Sequence, residues 1–117
     1  MTVTSYFANH RKLKEAGFEV VSIARFPPGS CKGIPDFAPS EDLVRASKSG
    51  TISEEDYKVC YFKMLDSIPV SRALELVRIL KEGNYALCCF CGKDKFCHRH
   101  LLAEWLNRNF ELNIKEF

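Results

Sequence analysis

The sequence predicts an α/β fold: one compact domain over residues 1–117, with a small, mostly parallel sheet of three to four strands flanked by helices. Short β-branched segments alternate with helical patterns along the chain. Tyr85 to Cys91 (YALCCFC) is continuously apolar, as in a strand covered on both faces of a parallel sheet. A chain of 117 residues has room for one core, burying roughly two-thirds of its unfolded surface. With 46% hydrophobic and 27% charged residues the composition is globular, neither disordered nor fibrous.

The elements follow in order. Val3 to Ala8 reads as a short strand, Asn9 as the cap of a basic helix over His10 to Ala16, and Gly17 as its stop. Phe18 to Phe26 (FEVVSIARF) is a second strand. Pro27 to Pro39 holds four of the five prolines with Gly29 and Gly33, an irregular stretch long enough to suggest function. Ser40 caps a helix over Glu41 to Lys48 that Gly50 ends. Ser53 with Glu54, Glu55 and Asp56 starts another, its carboxylates facing the positive end of the helix dipole. There Tyr57, Cys60, Tyr61, Met64 and Leu65 form one apolar stripe. Pro69 opens a helix with Val70, Ala73, Leu74, Val77 and Leu80 as its buried face, and Gly83 closes it. After the Tyr85–Cys91 strand, Lys93 to Lys95 makes a turn. Cys97 to Asn109 is the last helix, with Leu101, Leu102, Trp105 and Leu106 inward. Leu112 and Ile114 alternate with polar residues, consistent with an edge strand.

A net charge of +2 does not argue for nucleic acid, so anion binding has to rest on local clusters. No signal-peptide core or membrane-length apolar run is present, and a soluble cytoplasmic protein with reduced thiols is expected. Arg11, Lys12 and Lys14 read as a solvated helix face. In parallel α/β sheets ligands bind beyond the carboxyl ends of the strands. There Asn9-His10, Arg25 with the proline loop, and Cys91 to Arg99 would converge, flanked by Lys93 and Lys95.

Cys97-His98-Arg99 falls at a helix N-terminus, where unpaired amides and the dipole favour a thiolate or a bound anion. The pattern predicts a lowered Cys97 pKa, with Cys97 as nucleophile or the neighbour of an anion held by Arg25 and Arg99. The structural alternative makes His98 a core histidine bonded to a carbonyl and Arg99 a loop brace. Cys88-x-x-Cys91 with Cys97-x-x-His100 resembles a four-ligand zinc site. However, residues 88 and 91 point to opposite faces of a strand and only Cys89 and Cys91 share one, so no metal is expected. A phosphatase loop requires a different cysteine–arginine spacing, and a thioredoxin-like pair a helix beginning at its first cysteine. A reversible Cys91–Cys97 disulfide stays open. Tyr57 and Tyr61 are core residues by default, although a phenol tip can reach a crevice.

Ser22-Ile23-Ala24-Arg25-Phe26-Pro27-Pro28, Ile52-Ser53 leading to Tyr57 and Tyr61, Ala86-Leu87-Cys88-Cys89, and Phe96-Cys97-His98-Arg99-His100-Leu101-Leu102-Ala103-Glu104-Trp105-Leu106 together resemble the domain-of-unknown-function 488 family (DUF488) over nearly the whole chain. The resemblance implies a compact α/β protein without an established activity. It carries the family's characteristic positions onto Arg25, Pro27, Tyr57, Tyr61, Cys89, Cys97, His98 and Arg99. Family members often have an acidic residue two positions after the strand cysteine, where this chain has Cys91. That substitution implies that the apparent Cys88-x-x-Cys91 motif is incidental.

These readings lead to a site in which Cys97, His98 and Arg99 are catalytic and Arg25, Pro27, Tyr57, Tyr61, Cys89 and Asn9 bind the ligand. The expected ligand is a phosphate-bearing molecule, a nucleotide or nucleic acid, with no cofactor and no membrane partner. Two alternatives are a non-catalytic module that binds a nucleotide or protein through the proline loop, and a zinc or redox protein built on the Cys88–Cys97 cluster.

Overall fold

A computed structural model describes residues 1–92 and 95–117. Its sheet is four-stranded and all parallel, in the order β2-β3-β1-β4, from β1 (Thr2–Tyr6), β2 (Glu19–Ser22), β3 (Tyr85–Cys89) and β4 (Lys115–Glu116). The helices are α1 (His10–Glu15), α2 (Glu41–Ser49), α3 (Glu54–Asp66), α4 (Val70–Glu82) and α5 (His98–Phe110). The predicted fold class is the observed one. None of the described helices is long and apolar enough to cross a membrane.

Side-chain alternation along the strands divides the interior unequally. On one face Val3, Ala86 and Cys88 pack against Leu13 of α1. On the other, Val21, Leu87 and Cys89 meet the larger core from α2 to α5, including Leu43, Tyr61, Leu80, Leu102 and Trp105. Trp105 Nε1 donates to Asp66 Oδ1 at 2.9 Å, which ties α5 to α3. Continuous burial of Ala86 to Cys89 is the outcome of this two-sided cover.

Local chemistry sets most boundaries. Ser40 and Ser53 accept the amides of Leu43 and Asp56 and start α2 and α3. Gly17 and Gly50 take positive φ (90° and 71°) just beyond α1 and α2, where a Cβ would be strained. Asn9 corrects an expectation: its side chain makes no cap bond, and Nδ2 donates instead to Ser5 Oγ at 3.2 Å.

Other expectations also need revising. The second strand stops at Ser22, because the Ser22 hydroxyl accepts the Ala24 amide and bends the chain before Arg25. β3 ends at Cys89, two residues early. Cys60, Val70 and Leu74 are exposed, and Leu76 takes the inward place on α4 beside Ala73, Val77 and Leu80. The tail does pair as an edge strand, but through Lys115 and Glu116. The turn expected at Lys93 to Lys95 lies partly outside the described residues.

The proline stretch is anchored. Lys32 and Ile34 bond to the backbone of Ser22, and Phe37 enters the core. Tyr61 Oη donates to the Phe37 carbonyl at 2.6 Å, and Arg72 clamps Asp36 through Nε and Nη2 at 3.2 and 3.0 Å.

Candidate thiol site at the strand ends

Where β3 ends, Cys89 points into the larger core, and two residues beyond the strand end Cys91 returns to the same side. Cys97 sits at the N-cap of α5 opposite them. The Sγ atoms of Cys89, Cys91 and Cys97 lie within 4.8 Å of one another, and Cys89 Sγ is 2.7 Å from Cys97 Sγ. Cys89 and Cys97 are buried and Cys91 is half-buried. Such a group has the softness to ligate a metal ion. The four-ligand set read from sequence is not assembled, however: Cys88 belongs to the opposite face, and His100 Nδ1 approaches Glu116 at 4.0 Å.

Behind the thiols lies Arg99, whose side chain is 0% exposed. Its Nη1 donates to Cys89 Sγ at 3.1 Å and to the Cys91 carbonyl at 2.7 Å, and Nη2 donates to the Gly92 carbonyl at 3.0 Å. Nε donates to both carboxylate oxygens of Glu116 at 3.1 and 3.2 Å. One guanidinium therefore ties the end of β3, the following turn and edge strand β4 to a single thiol. Burial opposes its charge, and Glu116 with Cys89 outweigh that and raise its pKa. Arg99 does brace the loop; the structure adds that it is also the counter-ion of the cysteine cluster.

The charge then has a defined place. Hydrogen bonding with Cys89 and Cys91 pushes the Cys97 pKa far up; burial adds to the rise, and the Arg99 amide opposes it. Hydrogen bonding with Cys97 lowers Cys91 to about 6, against burial and with help from Arg99. Cys89 is lowered first by the Cys97 bond and then by Arg99. The lowered pKa expected for Cys97 falls instead on Cys89 and Cys91, because contact with two thiols and a guanidinium outweighs the helix terminus. Cys91 is the member of the cluster that solvent can reach.

His98 is fixed as one tautomer. Its Nε2 lies 2.8 Å from the Ile23 carbonyl, which can only accept, so Nε2 carries the proton. Nδ1 is then a free acceptor, 3.6 Å from Cys97 Sγ. Burial pushes the imidazole down to about 4, so it is neutral at pH 7. The carbonyl-bonded core histidine of the structural alternative is thus present, and its other nitrogen faces the thiols.

In front of the cluster opens a cavity of about 280 Å³ whose walls include Arg25, Phe26, Tyr57, Phe90, Cys91 and His98. A second cavity of about 430 Å³ shares Tyr57 and Cys91 and adds Lys95 and Phe96. Arg25 is held at the rim by donating from Nε to the Pro39 carbonyl at 2.8 Å and from Nη2 to the Ala38 carbonyl at 3.4 Å. Tyr57 stacks on Tyr61, and burial, with the nearby thiols, keeps its phenol protonated.

Of the residues singled out from sequence, Arg25, Tyr57, Cys89, Cys97, His98 and Arg99 gather at or directly behind this crevice. Tyr61 lies beneath it, spending its hydroxyl on Phe37. Asn9 and Pro27 are not among its lining residues, and Lys93 lies outside the described residues. The Cys88-x-x-Cys91 motif is incidental, as expected, but Cys91, considered from sequence only as a possible disulfide partner of Cys97, is a member of the site; its shared strand face with Cys89 was the signal for it. Glu116, Phe26, Phe90 and Lys48 were missed; only a three-dimensional neighbour relation reveals them.

The fold and site together define a small parallel α/β protein with a cysteine-rich centre beyond its strand ends. The model of the DUF488-N3a family, described as the active DUF488-N3 subclade, matches residues 3–110, and the chain belongs to this family. No curated protein and no solved structure matches it.

Proposed function

We propose that this protein binds a small phosphate-bearing ligand of the nucleotide class in the strand-end crevice and acts on it with the Cys91 thiolate. One observation carries the reading: a cavity of about 280 Å³ brings Arg25 and Lys48 together with aromatic rings and an activated thiol. The phosphate would meet the two cations, Arg25 offering planar, bidentate recognition. Phe26 and Phe90, 61% and 63% exposed, offer the faces on which a base stacks. The volume lies just below the usual range for small-molecule sites, which favours one nucleotide over a nucleic-acid strand.

The chain's own groups divide the work. Cys91 is the attacking thiolate, Cys97 supplies the hydrogen bond that keeps it ionised, and neutral His98 borders the pair through Nδ1 as a positioning group. Arg99 is a positioning residue: it holds the cluster and has no free face toward the crevice, since its side chain is fully buried. The catalytic role expected for Cys97 becomes that of a proton-holding partner in this proposal.

A thermal-shift and calorimetry panel of nucleoside mono-, di- and triphosphates, with orthophosphate as control, tests the reading. At least one nucleotide should raise Tm, and Arg25→Ala should weaken its binding by about tenfold, the loss of one charge-assisted contact. Stabilisation by none of them, or equal stabilisation of Arg25→Ala, overturns it.

A further inference from the structure

The thiol cluster has a second capacity that does not depend on which ligand the crevice takes. Three sulfurs share one small volume, but they are not equivalent. Cys91 borders both cavities and meets solvent; Cys89 contributes to the wall of the smaller cavity but is buried, and Cys97 is buried and borders neither. An oxidant entering from the crevice reaches Cys91 first. Any sulfenic acid formed there finds a thiol within 4.8 Å, too close for the intermediate to persist.

A resident zinc ion fits the same atoms less well. Two thiolates on one tetrahedral zinc stand about 3.8 Å apart, given a zinc–sulfur distance of about 2.3 Å. Cys89 and Cys97 Sγ are 2.7 Å apart, and the Arg99 guanidinium already occupies one side of Cys89. That contact leaves no room for a cation between these two sulfurs, while Cys91 Sγ, within 4.8 Å of Cys97 Sγ, stands within reach of bond formation after a small shift.

We propose that Cys91 and Cys97 form a peroxide-operated switch, in which a hydroperoxide oxidises Cys91 and Cys97 resolves it into a Cys91–Cys97 disulfide. In the first step the Cys91 thiolate attacks a peroxide oxygen; the O–O bond breaks, giving the sulfenic acid and, after protonation, water or an alcohol. In the second, Cys97 sulfur attacks Cys91 sulfur, the S–O bond breaks, and hydroxide leaves with the Cys97 proton as water. Two thiols are oxidised by one peroxide, and a dithiol reductant reverses the change. The neutral His98 Nδ1, 3.6 Å from Cys97 Sγ, is placed to orient that thiol as it attacks. The lowered pKa of Cys91 favours the first step. Disulfide closure would also remove the thiolate from the crevice, a regulatory consequence that rests on the functional reading above.

The test is mass spectrometry of the reduced full-length protein after treatment with one equivalent of hydrogen peroxide. Trypsin separates residues 82–93, which hold Cys88, Cys89 and Cys91, from residues 96–99, which hold Cys97. A linked pair of these peptides should appear, with fragmentation placing the bond on Cys91, while two of the six free thiols disappear and return with dithiothreitol. Cys91→Ser and Cys91→Ala should each slow the linkage at least tenfold, and Cys60→Ser, at an exposed cysteine, should leave it unchanged. Near-native circular dichroism of the Cys91 variants excludes misfolding as the cause. A linkage that forms at the wild-type rate without Cys91, or oxidation of Cys91 to sulfinic acid with no linkage, overturns the proposal. A protein that forms the disulfide but binds no nucleotide would sink the proposed function and leave this inference standing.

Discussion

Cys88 and Cys89 are neighbours on β3, and the sheet between them separates two kinds of interior. Cys88 faces Val3, Leu13 and Ala86, where burial pushes its thiol up to about 12. Cys89 faces Cys97 and Arg99, which together lower its pKa despite equal concealment from solvent. Burial alone makes a cysteine inert; a fixed guanidinium and a neighbouring thiol reverse the direction of the shift. A single step along a strand is enough to pass from one regime to the other.

The widest contrast should be kinetic. At pH 7 iodoacetamide should modify Cys91 faster than Cys88 by on the order of 10³ or more, since the thiolate is the reacting form. Cys91 labelling should follow a midpoint near its value of about 6. Peptide mapping across pH 5–9 checks both; equal labelling of the two cysteines in the folded protein would erase the distinction.

Removing the guanidinium should cost most in stability. Arg99→Met leaves Glu116 with only the Thr4 hydroxyl and His100 beside it and takes donors from Cys89, Cys91 and Gly92. Urea unfolding should show a loss of about 3–5 kcal/mol. Arg99→Lys should recover little of it, because a point charge cannot reach a carboxylate, a thiol and two carbonyls together. Full stability of the lysine variant would mean that charge, not geometry, holds the site.

His98 gives a pH-dependent test. Its pKa is depressed from 6.5 in the unfolded chain to about 4 in the fold, so the unfolded chain binds the proton first. The associated stability, about 3 kcal/mol, is present above pH 6.5 and is lost as pH falls toward 4. Denaturation between pH 7 and 5, above most carboxylate titrations, should show the slope, and His98→Gln should flatten it.

Cys88→Ala should have the smallest effect: about 1 kcal/mol of stability from the lost sulfur packing, with Cys91 labelling unchanged. A large change in Cys91 reactivity would show that the two faces of the sheet communicate.

The scaffold was readable because it rests on local chemistry. Ser40 and Ser53 as caps, Gly17 and Gly50 as stops, and the apolar run Ala86 to Cys89 each carry their meaning within a few residues. Face assignments on α4 failed at Val70 and Leu74, since periodicity identifies a stripe but not which neighbour covers it. At the site, Arg25, Tyr57, Cys89, Cys97, His98 and Arg99 were identifiable as a group, but their chemistry was not. The Cys97 prediction considered a helix terminus and omitted the two sulfurs that decide where the proton stays. Cys91 carries no ligand or catalytic role in the sequence reading, although alternation places it beside Cys89. Glu116, seventeen residues beyond Arg99 in sequence, gave no local sign of pairing with it.

Glu116 belongs to a strand of only two residues, held to β1 through Val3, Thr4 and the amide of Phe117. An edge that short opens far more often than the rest of a fold. Each opening withdraws the carboxylate that helps to balance Arg99 and leaves its charge to Cys89 and the carbonyls of Cys91 and Gly92. Fraying at the sheet margin is therefore linked to thiolate acidity in the interior. Amide hydrogen exchange at the last residues of the chain would then report on the electrostatic state of a centre that solvent barely touches.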